Sequence, residues 1–172
     1  LAQQHEYSSY DPLVNLPNTL RLIKRSSADK PVLLAEYGSN ANGETAPFNT
    51  GGIHLHDGLW AAPFTGYAGT GMYWWWDNYI EPNNLWYQYK GIAAFFQGED
   101  LQGMNVASLA VSAGGSEKPA ALAAALQSEN RALVWVRAKT YTYEGARYAY
   151  ASAKQKGDFP PDWKFELPAQ TG

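Results

Sequence analysis

The sequence predicts an α/β protein whose first part holds a parallel sheet and whose second part is rich in short β-strands. Before Gly103, short apolar runs alternate with longer segments of helical period, which is the βαβ pattern of a parallel sheet. After Gly103, short β-prone runs are separated by Gly, Ser, Glu and Lys turns. We therefore expect one domain over residues 1–102 and a second over residues 103–172.

The composition limits the classes of function. A chain of 172 residues with 45% apolar and 17% charged residues can bury a core. A formal charge of −3 without a basic run argues against nucleic acid as a partner. Without cysteine the chain has no disulfide, Cys-ligated zinc or thiol nucleophile. Because no apolar run approaches the ~18 residues of a membrane-spanning helix, we expect no membrane partner.

The first strand and helix are predicted near the start of the chain. Residues 1–6 form the end of a strand, and a loop through Tyr10 and Pro12 follows. Residues 15–27 have the period of a helix, because Pro17 suits a first helical turn and three apolar residues share one face: Leu16, Leu20 and Ile23.

The second strand is predicted over residues 32–36, after Pro31. A long loop over residues 37–53 is rich in Gly, Asn, Ser and Thr, and loops of this length are usually functional or mobile. Residues 54–68 are predicted to be a helix. They include Gly58, Pro63 and Gly66, so only close packing would justify that helix.

The third unit begins with residues 72–76, "MYWWW", which we expect to be a strand buried on both faces and ending at Asp77. A loop through Glu81 leads to a third helix over residues 86–97, closed by Gly98.

The ends of the predicted strands carry the candidate functional residues, since parallel sheets place their sites at the carboxyl ends of strands. Glu36 ends the most hydrophobic strand, where a charge is costly unless it is paired, hydrogen-bonded or used. Three such endings in register predict a shared pocket; they comprise His5, Glu6, Tyr7, Glu36, Tyr37, Trp74, Trp76 and Asp77.

Four segments together resemble a known family: "HEY", "KPVLLAEYG", "HDGLWAAPFTGYAGTGMYWWWD" and "YKGIAAFFQGEDL". They are similar to the last third of a (β/α)8-barrel (TIM barrel) glycoside hydrolase of the retaining cellulase and mannanase clan, nearest to glycoside hydrolase family 5. The resemblance covers residues 1–101 as strands six to eight of the barrel. It implies a secreted enzyme acting on a β-glucan or β-mannan, without a cofactor or metal.

The resemblance also implies roles for individual residues. The glutamate at the end of strand seven is the nucleophile of this clan, so Glu36 takes that role, with a structural ion pair as the alternative. Tyr7 stands where the clan places a phenol that hydrogen-bonds the nucleophile. His5 could bond a sugar hydroxyl, and Trp74 or Trp76 would be the sugar platform, with Trp76 preferred because it is nearer the strand end. Asp77 could orient a neighbour or touch substrate.

The sequence departs from the family pattern in one respect. The family's acid/base glutamate follows an asparagine on strand four, but this chain contains no Asn-Glu pair, and strands one to five are missing. We therefore expect a fragment that lacks the N-terminal part of the barrel and is inactive alone. The alternative is a non-catalytic carbohydrate-binding or structural module that keeps only the aromatic surface.

Two histidines in "HLHD", His54 and His56, are spaced by one residue next to Asp57. At the start of a helix such residues do not face each other, so hydrogen bonding to a loop or a sugar is favoured over zinc. His56 is accordingly a candidate substrate-binding residue. Glu44 and Glu81 are expected to be solvated loop carboxylates.

The second part resembles the β-sandwich that often follows such barrels. Strands are predicted over residues 104–113, 120–128, 132–141 and 163–168, whereas residues 144–163 are predicted to be loop. Trp135 or Tyr141 could bind carbohydrate, although a packing role for this sheet is the favoured interpretation.

Overall fold

The structure of the protein is a computed structural model that describes residues 1–109 and 121–156. The described part of the chain is mixed α/β and contains a two-stranded parallel sheet and a three-stranded antiparallel sheet. The strands are β1 (Ala2–Tyr7), β2 (Val32–Gly38), β3 (Asn105–Leu109), β4 (Ala121–Gln127) and β5 (Ala132–Ala138). The α-helices are α1 (Pro12–Lys24), α2 (Ile53–Phe64), α3 (Tyr87–Phe96) and α4 (Tyr143–Lys156). A 3-10 turn at Pro47–Asn49 and a π-helix at Trp76–Ile80 complete the element order.

The parallel sheet consists of β1 and β2, and the predicted third strand does not form as a regular strand. Residues 72–76 meet β2 only through an isolated parallel bridge between Tyr37 and Tyr73. The prediction that this segment is buried on both faces is also wrong. Tyr73 is fully buried, whereas Met72 and Trp74 are 43% and 42% exposed. Side chains alternate between the two faces of an extended segment, and here the helices cover one face only.

Helix α1 begins earlier than its period predicts. Asp11 caps the helix, because its Oδ1 accepts a hydrogen bond of 3.0 Å from the backbone N–H of Leu13, and Pro12 occupies the first position. Pro17 therefore lies inside the helix instead of in its first turn. The helix ends at Lys24, which is three residues before the predicted end.

Helix α2 is almost entirely buried and packs behind β2. A methyl group at Gly58 would overlap the ring of Tyr37, so the glycine lets the helix approach the strand. This is the close packing that the poor helix formers of the segment require. The helix ends at Phe64, and Thr65 follows as its C-cap, so the predicted residues 66–68 lie outside it.

The antiparallel sheet packs against α2 and shares one hydrophobic core with the parallel part. The rings of Trp60 and Trp135 stack with their centroids 6.1 Å apart and their planes at 19°. Trp135 is buried, which agrees with a packing role for that side chain and leaves it no open face for a sugar. Strand β3 covers part of the predicted strand over residues 104–113. Residues 110–113 and the predicted strand over residues 163–168 lie outside the described residues.

Helix α4 corrects the prediction of a loop over residues 144–163. Its sequence is rich in the good helix formers Ala, Lys, Arg and Gln. Tyr143 and Ala146, three residues apart, are buried on one face, and Phe48 packs on Tyr143 with ring centroids 4.9 Å apart. The remaining residues of the predicted loop, 157–163, lie outside the described residues.

Candidate active site at the ends of the parallel strands

A β-bulge in β2 determines where Glu36 points. Gln4 lies opposite Leu34 and His5 lies opposite Glu36, so Ala35 has no opposite residue on β1. In a regular strand Glu36 would share the face of Leu34, which is 2% exposed against the helices. The extra residue instead turns Glu36 to the open face of the sheet and gives the buried position to Tyr37.

The open face brings together three of the residues predicted from the sequence. The phenol of Tyr7 donates a hydrogen bond of 2.7 Å to Oε2 of Glu36. Nδ1 of His5 lies 3.1 Å from the same oxygen. The Glu36 side chain is 22% exposed. Within the described residues no lysine or arginine lies within ion-pair distance of Glu36, so its partners are the phenol and the imidazole.

The electrostatics of this cluster keep Tyr7 protonated. Burial raises the pKa of the Tyr7 phenol well above its ordinary value, and the hydrogen bond and the charge of Glu36 raise it further. The phenol is therefore a hydrogen-bond donor to the carboxylate throughout the neutral pH range. The hydrogen bond from Tyr7 therefore fixes the position of the Glu36 carboxyl group.

Trp75, which the sequence did not single out, packs its ring beside Tyr7 of this cluster. Its ring centroid lies 6.3 Å from that of Tyr7, and its Nε1 donates a hydrogen bond of 3.1 Å to the carbonyl of Asn40. A Cβ at Gly38 would come within 3.0 Å of Trp75 Nε1 and 3.2 Å of Tyr7, so glycine permits the indole and the phenol to meet. The sequence does not indicate which of the three adjacent tryptophans packs beside Tyr7, because the direction of each side chain depends on the backbone bridge at Tyr73.

The other predicted sugar-binding residues lie along the same segment. Trp74 and Trp76 are exposed, and Trp76 is the first residue of the π-helix rather than the last residue of a strand. Asp77 is also exposed, and its Oδ1 accepts a hydrogen bond of 2.9 Å from the backbone N–H of Asn78. The structure gives no contact of these three side chains with Glu36.

His56 is not brought to this cluster. It lies on α2, its Nδ1 is 3.0 Å from Oε1 of Gln88, and its ring packs among Trp60, Trp135 and Tyr141. Burial lowers the pKa of His56 below its ordinary value. Its place between α2 and the antiparallel sheet makes it a packing residue of that interface.

Glu44 corrects the expectation of a solvated loop carboxylate. It is buried, its carboxylate accepts hydrogen bonds from the hydroxyl of Ser39 and, at 2.8 Å, from the phenol of Tyr73, and the backbone N–H of Ala46 donates to its Oε1 at 3.3 Å. The loop after β2 is thus tied to the 72–76 segment through one carboxylate. The sequence offers no signal for this, because the loop composition is that of a surface loop.

A second buried polar cluster links β5 to α1 and α2. The guanidinium of Arg137 forms an ion pair with Asp11 and lies 3.8 Å from Oδ1 of Asp57. Asp57 is 1% exposed, and neither of its carboxylate oxygens has a hydrogen-bond donor in the described part of the chain. Burial raises the pKa of Asp57 from its ordinary value of 3.8 to about 8, although Arg137 opposes this shift.

Behind β1 lies a small cavity of about 10 Å³, which has room for about one water molecule. It is lined by Glu6, Ser8, Asn15 and His54 among others, and Glu6 Oε1 accepts a hydrogen bond of 2.7 Å from Asn15. Burial lowers the pKa of His54 to about 4, so its imidazole is neutral. This cavity lies on the helix side of the sheet, whereas Glu36 faces the open side.

Comparisons of the chain with protein-family models, with curated proteins and with solved structures find no match. In residues 1–109 and 121–156, no helix is both long and apolar enough to cross a bilayer. Over the same residues, no group of three His, Cys, Asp or Glu side chains is placed to hold a metal ion.

Proposed function

We propose that this chain is part of a retaining β-glycoside hydrolase in which Glu36 is the nucleophile. The observation that carries the proposal is the cluster of Tyr7, His5 and Glu36 at the carboxyl ends of two parallel strands. In this proposal β1, β2 and residues 72–76 are strands six, seven and eight of a (β/α)8 barrel. The β-rich part after residue 103 is then the accessory β-sandwich.

The chemistry assigned to Glu36 follows from its surroundings. A retaining glycosidase attacks the anomeric carbon with an ionised carboxylate, forming a glycosyl ester while the leaving oxygen takes a proton from a second carboxyl group. Glu36 is hydrogen-bonded by a phenol on one oxygen and is partly open to solvent, so it can approach a sugar. Water then hydrolyses the ester and regenerates the carboxylate.

The neighbouring side chains supply orientation. His5 is nearly half exposed beside the carboxylate, so its second ring nitrogen is available to a sugar hydroxyl. Trp75, at the Tyr7 ring, and Trp74, exposed next to it, are the aromatic faces on which a pyranose ring would stack.

A second carboxyl group about 5–5.5 Å from the nucleophile is needed for retaining hydrolysis. We assign it to the N-terminal part of the barrel, which this chain does not contain. The 172-residue chain alone should therefore have negligible activity. The substrate class is a β-glucan or β-mannan, and a polysaccharide substrate implies a secreted enzyme.

The test is covalent labelling of the protein encoded by the complete reading frame. A 2-deoxy-2-fluoroglycoside with a good leaving group should form a stable ester, and peptide mass spectrometry should locate it on Glu36. Glu36→Gln should abolish labelling and hydrolysis, whereas Glu129→Gln, an exposed carboxylate on the turn after β4, should retain both. A label on any other residue would contradict the assignment.

The second candidate is a non-catalytic carbohydrate-binding module, which the exposed Trp74 and Trp76 favour. Binding of oligosaccharide without covalent labelling, in protein from the complete reading frame, would support the module over the enzyme.

A further inference from the structure

Residues 39–44, which we name the asparagine loop, fold back on themselves after β2. The side chain of Asn40 bonds the loop twice. Its Oδ1 accepts a hydrogen bond of 2.8 Å from the backbone N–H of Asn42, and its Nδ2 donates one of 2.6 Å to the carbonyl of Gly43. Asparagine favours turns because its short amide can bond the backbone two residues on, so Asn40 sets the shape of this loop.

The asparagine loop holds the neighbouring aromatic segment at two points. The carbonyl of Asn40 accepts a hydrogen bond of 3.1 Å from Nε1 of Trp75, whose ring packs beside Tyr7. The buried Glu44 accepts a hydrogen bond of 2.8 Å from the phenol of Tyr73. The conformation of the loop therefore determines how the indole of Trp75 is held.

The same loop contains the one Asn-Gly dipeptide of the sequence, Asn42–Gly43. Asparagine is thermolabile, and a following glycine favours its loss of ammonia because no side chain hinders the glycine nitrogen. Asn42 is exposed, and neither its side-chain amide nor the Gly43 N–H has a hydrogen-bond partner among the described residues. Gly43 is buried, but the space beside its Cα is open, since a Cβ there would have nothing within 4 Å. Both reacting groups are therefore unoccupied.

We propose that Asn42 is a site of spontaneous deamidation and that the product loosens the hold of the asparagine loop on Trp75. The nitrogen of Gly43 attacks Cγ of Asn42 and closes a succinimide ring. The side-chain nitrogen leaves as ammonia and takes, through water, the proton that the glycine nitrogen loses. Water then opens either of the two ring C–N bonds, which gives aspartate or isoaspartate, so one water is exchanged for one ammonia.

The isoaspartate product changes the backbone of the loop, because the chain then runs through Cγ and is one methylene longer. Glu44 is buried and hydrogen-bonded on both oxygens, so the added length falls on the two Asn40 bonds, which flank the altered link. Their loss frees the carbonyl that holds Trp75. While intact, the same two bonds slow the reaction, because they restrain the rotation that brings Cγ to the glycine nitrogen. Neither step requires Glu36 to react.

The first test follows deamidation in the 172-residue chain at mildly alkaline pH. A protease that cleaves after glutamate releases residues 37–44 for mass spectrometry. Asn42 should convert roughly fivefold more slowly than in the free peptide YGSNANGE, because a hydrogen bond of Asn40 must first be given up. Asn40→Ala should convert at about the peptide rate, and Asn42→Gln should not convert. Asn130, which is exposed but is followed by Arg131, should stay intact.

The second test measures the surroundings of Trp75 by fluorine NMR of protein labelled with fluorotryptophan. Trp75→Phe assigns the resonance of this residue. The deamidated fraction, separated by ion exchange, should show a shifted Trp75 resonance. Asn42→Asp is the matched control, because it carries the new charge on an unaltered backbone and should leave the resonance close to its original position.

Four results would overturn the proposal. Two of them are an unconverted Asn42 after the free peptide has reacted completely, and faster conversion at another asparagine of the chain. The third is an equal rate in Asn40→Ala and the unmodified chain, since the Asn40 bonds would then not restrain the loop. The fourth is an unchanged Trp75 resonance in the deamidated fraction.

Discussion

Glu36 and Asp57 are two carboxylates on opposite sides of the same sheet, and their surroundings differ in kind. Glu36 faces the open side, is partly exposed and is hydrogen-bonded by Tyr7. Asp57 is buried between α2 and the antiparallel sheet, where it has Arg137 at 3.8 Å but no hydrogen-bond donor among the described residues.

Asp57 teaches that burial can outweigh a nearby cation in setting the ionisation of a carboxyl group. Arg137 opposes the upward shift of the Asp57 pKa, yet burial prevails and the pKa reaches about 8. The same guanidinium is closer to Asp11, which it pairs directly. Asp57 is therefore neutral near pH 7, whereas a carboxylate that acts as a nucleophile must be charged.

The largest expected effect concerns the pH dependence of stability. Between pH 4 and pH 8 the folded protein keeps the Asp57 proton that the unfolded chain has released, since the pKa rises from 3.8 to about 8 on folding. The free energy of unfolding should therefore fall as pH rises through this window, by up to about 1.4 kcal/mol per pH unit. Urea unfolding from pH 5 to pH 8 should detect this slope, and Asp57→Asn should remove it.

The control for that experiment is Asp29→Asn, which changes an exposed carboxylate and should leave the slope intact. If Asp57→Asn and the unmodified protein show the same slope, the carboxyl group of Asp57 is ionised in the folded state and burial does not control its protonation.

A smaller effect on stability is expected from removing the positive charge of Arg137. Arg137→Met should lower the free energy of unfolding by about 3 kcal/mol at pH 7, because Asp11 loses its partner and a buried site loses its charge balance. Arg131→Met is the matched control: Arg131 pairs with Glu99 at an exposed site, and such pairs contribute little. Equal losses in the two variants, measured by urea unfolding, would contradict the distinction between buried and exposed pairs.

The smallest effect on stability is expected from removing the Tyr7 hydroxyl, which donates a hydrogen bond to Glu36. Tyr7→Phe removes a hydrogen bond to a charged group and should cost about 1–2 kcal/mol of stability, because the carboxylate keeps access to water. Tyr10→Phe, which removes the hydroxyl of an exposed ring, should change little. Thermal unfolding at pH 7 compares the two. A stabilising Tyr7→Phe variant would indicate that the phenol and Glu36 gain nothing from their contact.

The sequence predicted the two parallel strands from the alternation of apolar runs with helical segments. The Tyr7–Glu36 pair was implied only by the family resemblance, and the structure contains this hydrogen bond at 2.7 Å. Prediction from the sequence failed where tertiary contacts decide. Along residues 72–76, which side chains are buried depends on the face that the helices cover. The burial of Glu44 depends on its hydrogen bonds with Ser39 and Tyr73. Helix α4 was missed because Gly and Tyr residues masked its helical period. Strands β4 and β5 were predicted from their β-prone runs, whereas their antiparallel pairing is a finding of the structure.

The ion cluster of Asp11, Arg137 and Asp57 could not be predicted either, because its members are as many as 126 residues apart. The periodic spacing of apolar residues predicts local elements, but it does not indicate which residues meet over so long a separation in the sequence. Only the packing of β5 on α2 brings them together, and that packing is set by large rings such as Trp60 and Trp135.

The unpaired Ala35 makes the register of the strand, and not only its residue types, a condition for solvent access to Glu36. A strand of the same sequence without the bulge would turn this carboxylate toward the layer beneath the helices and would bring the ring of Tyr37 to the open face. The glutamate would be unchanged in the sequence and yet would have no access to water.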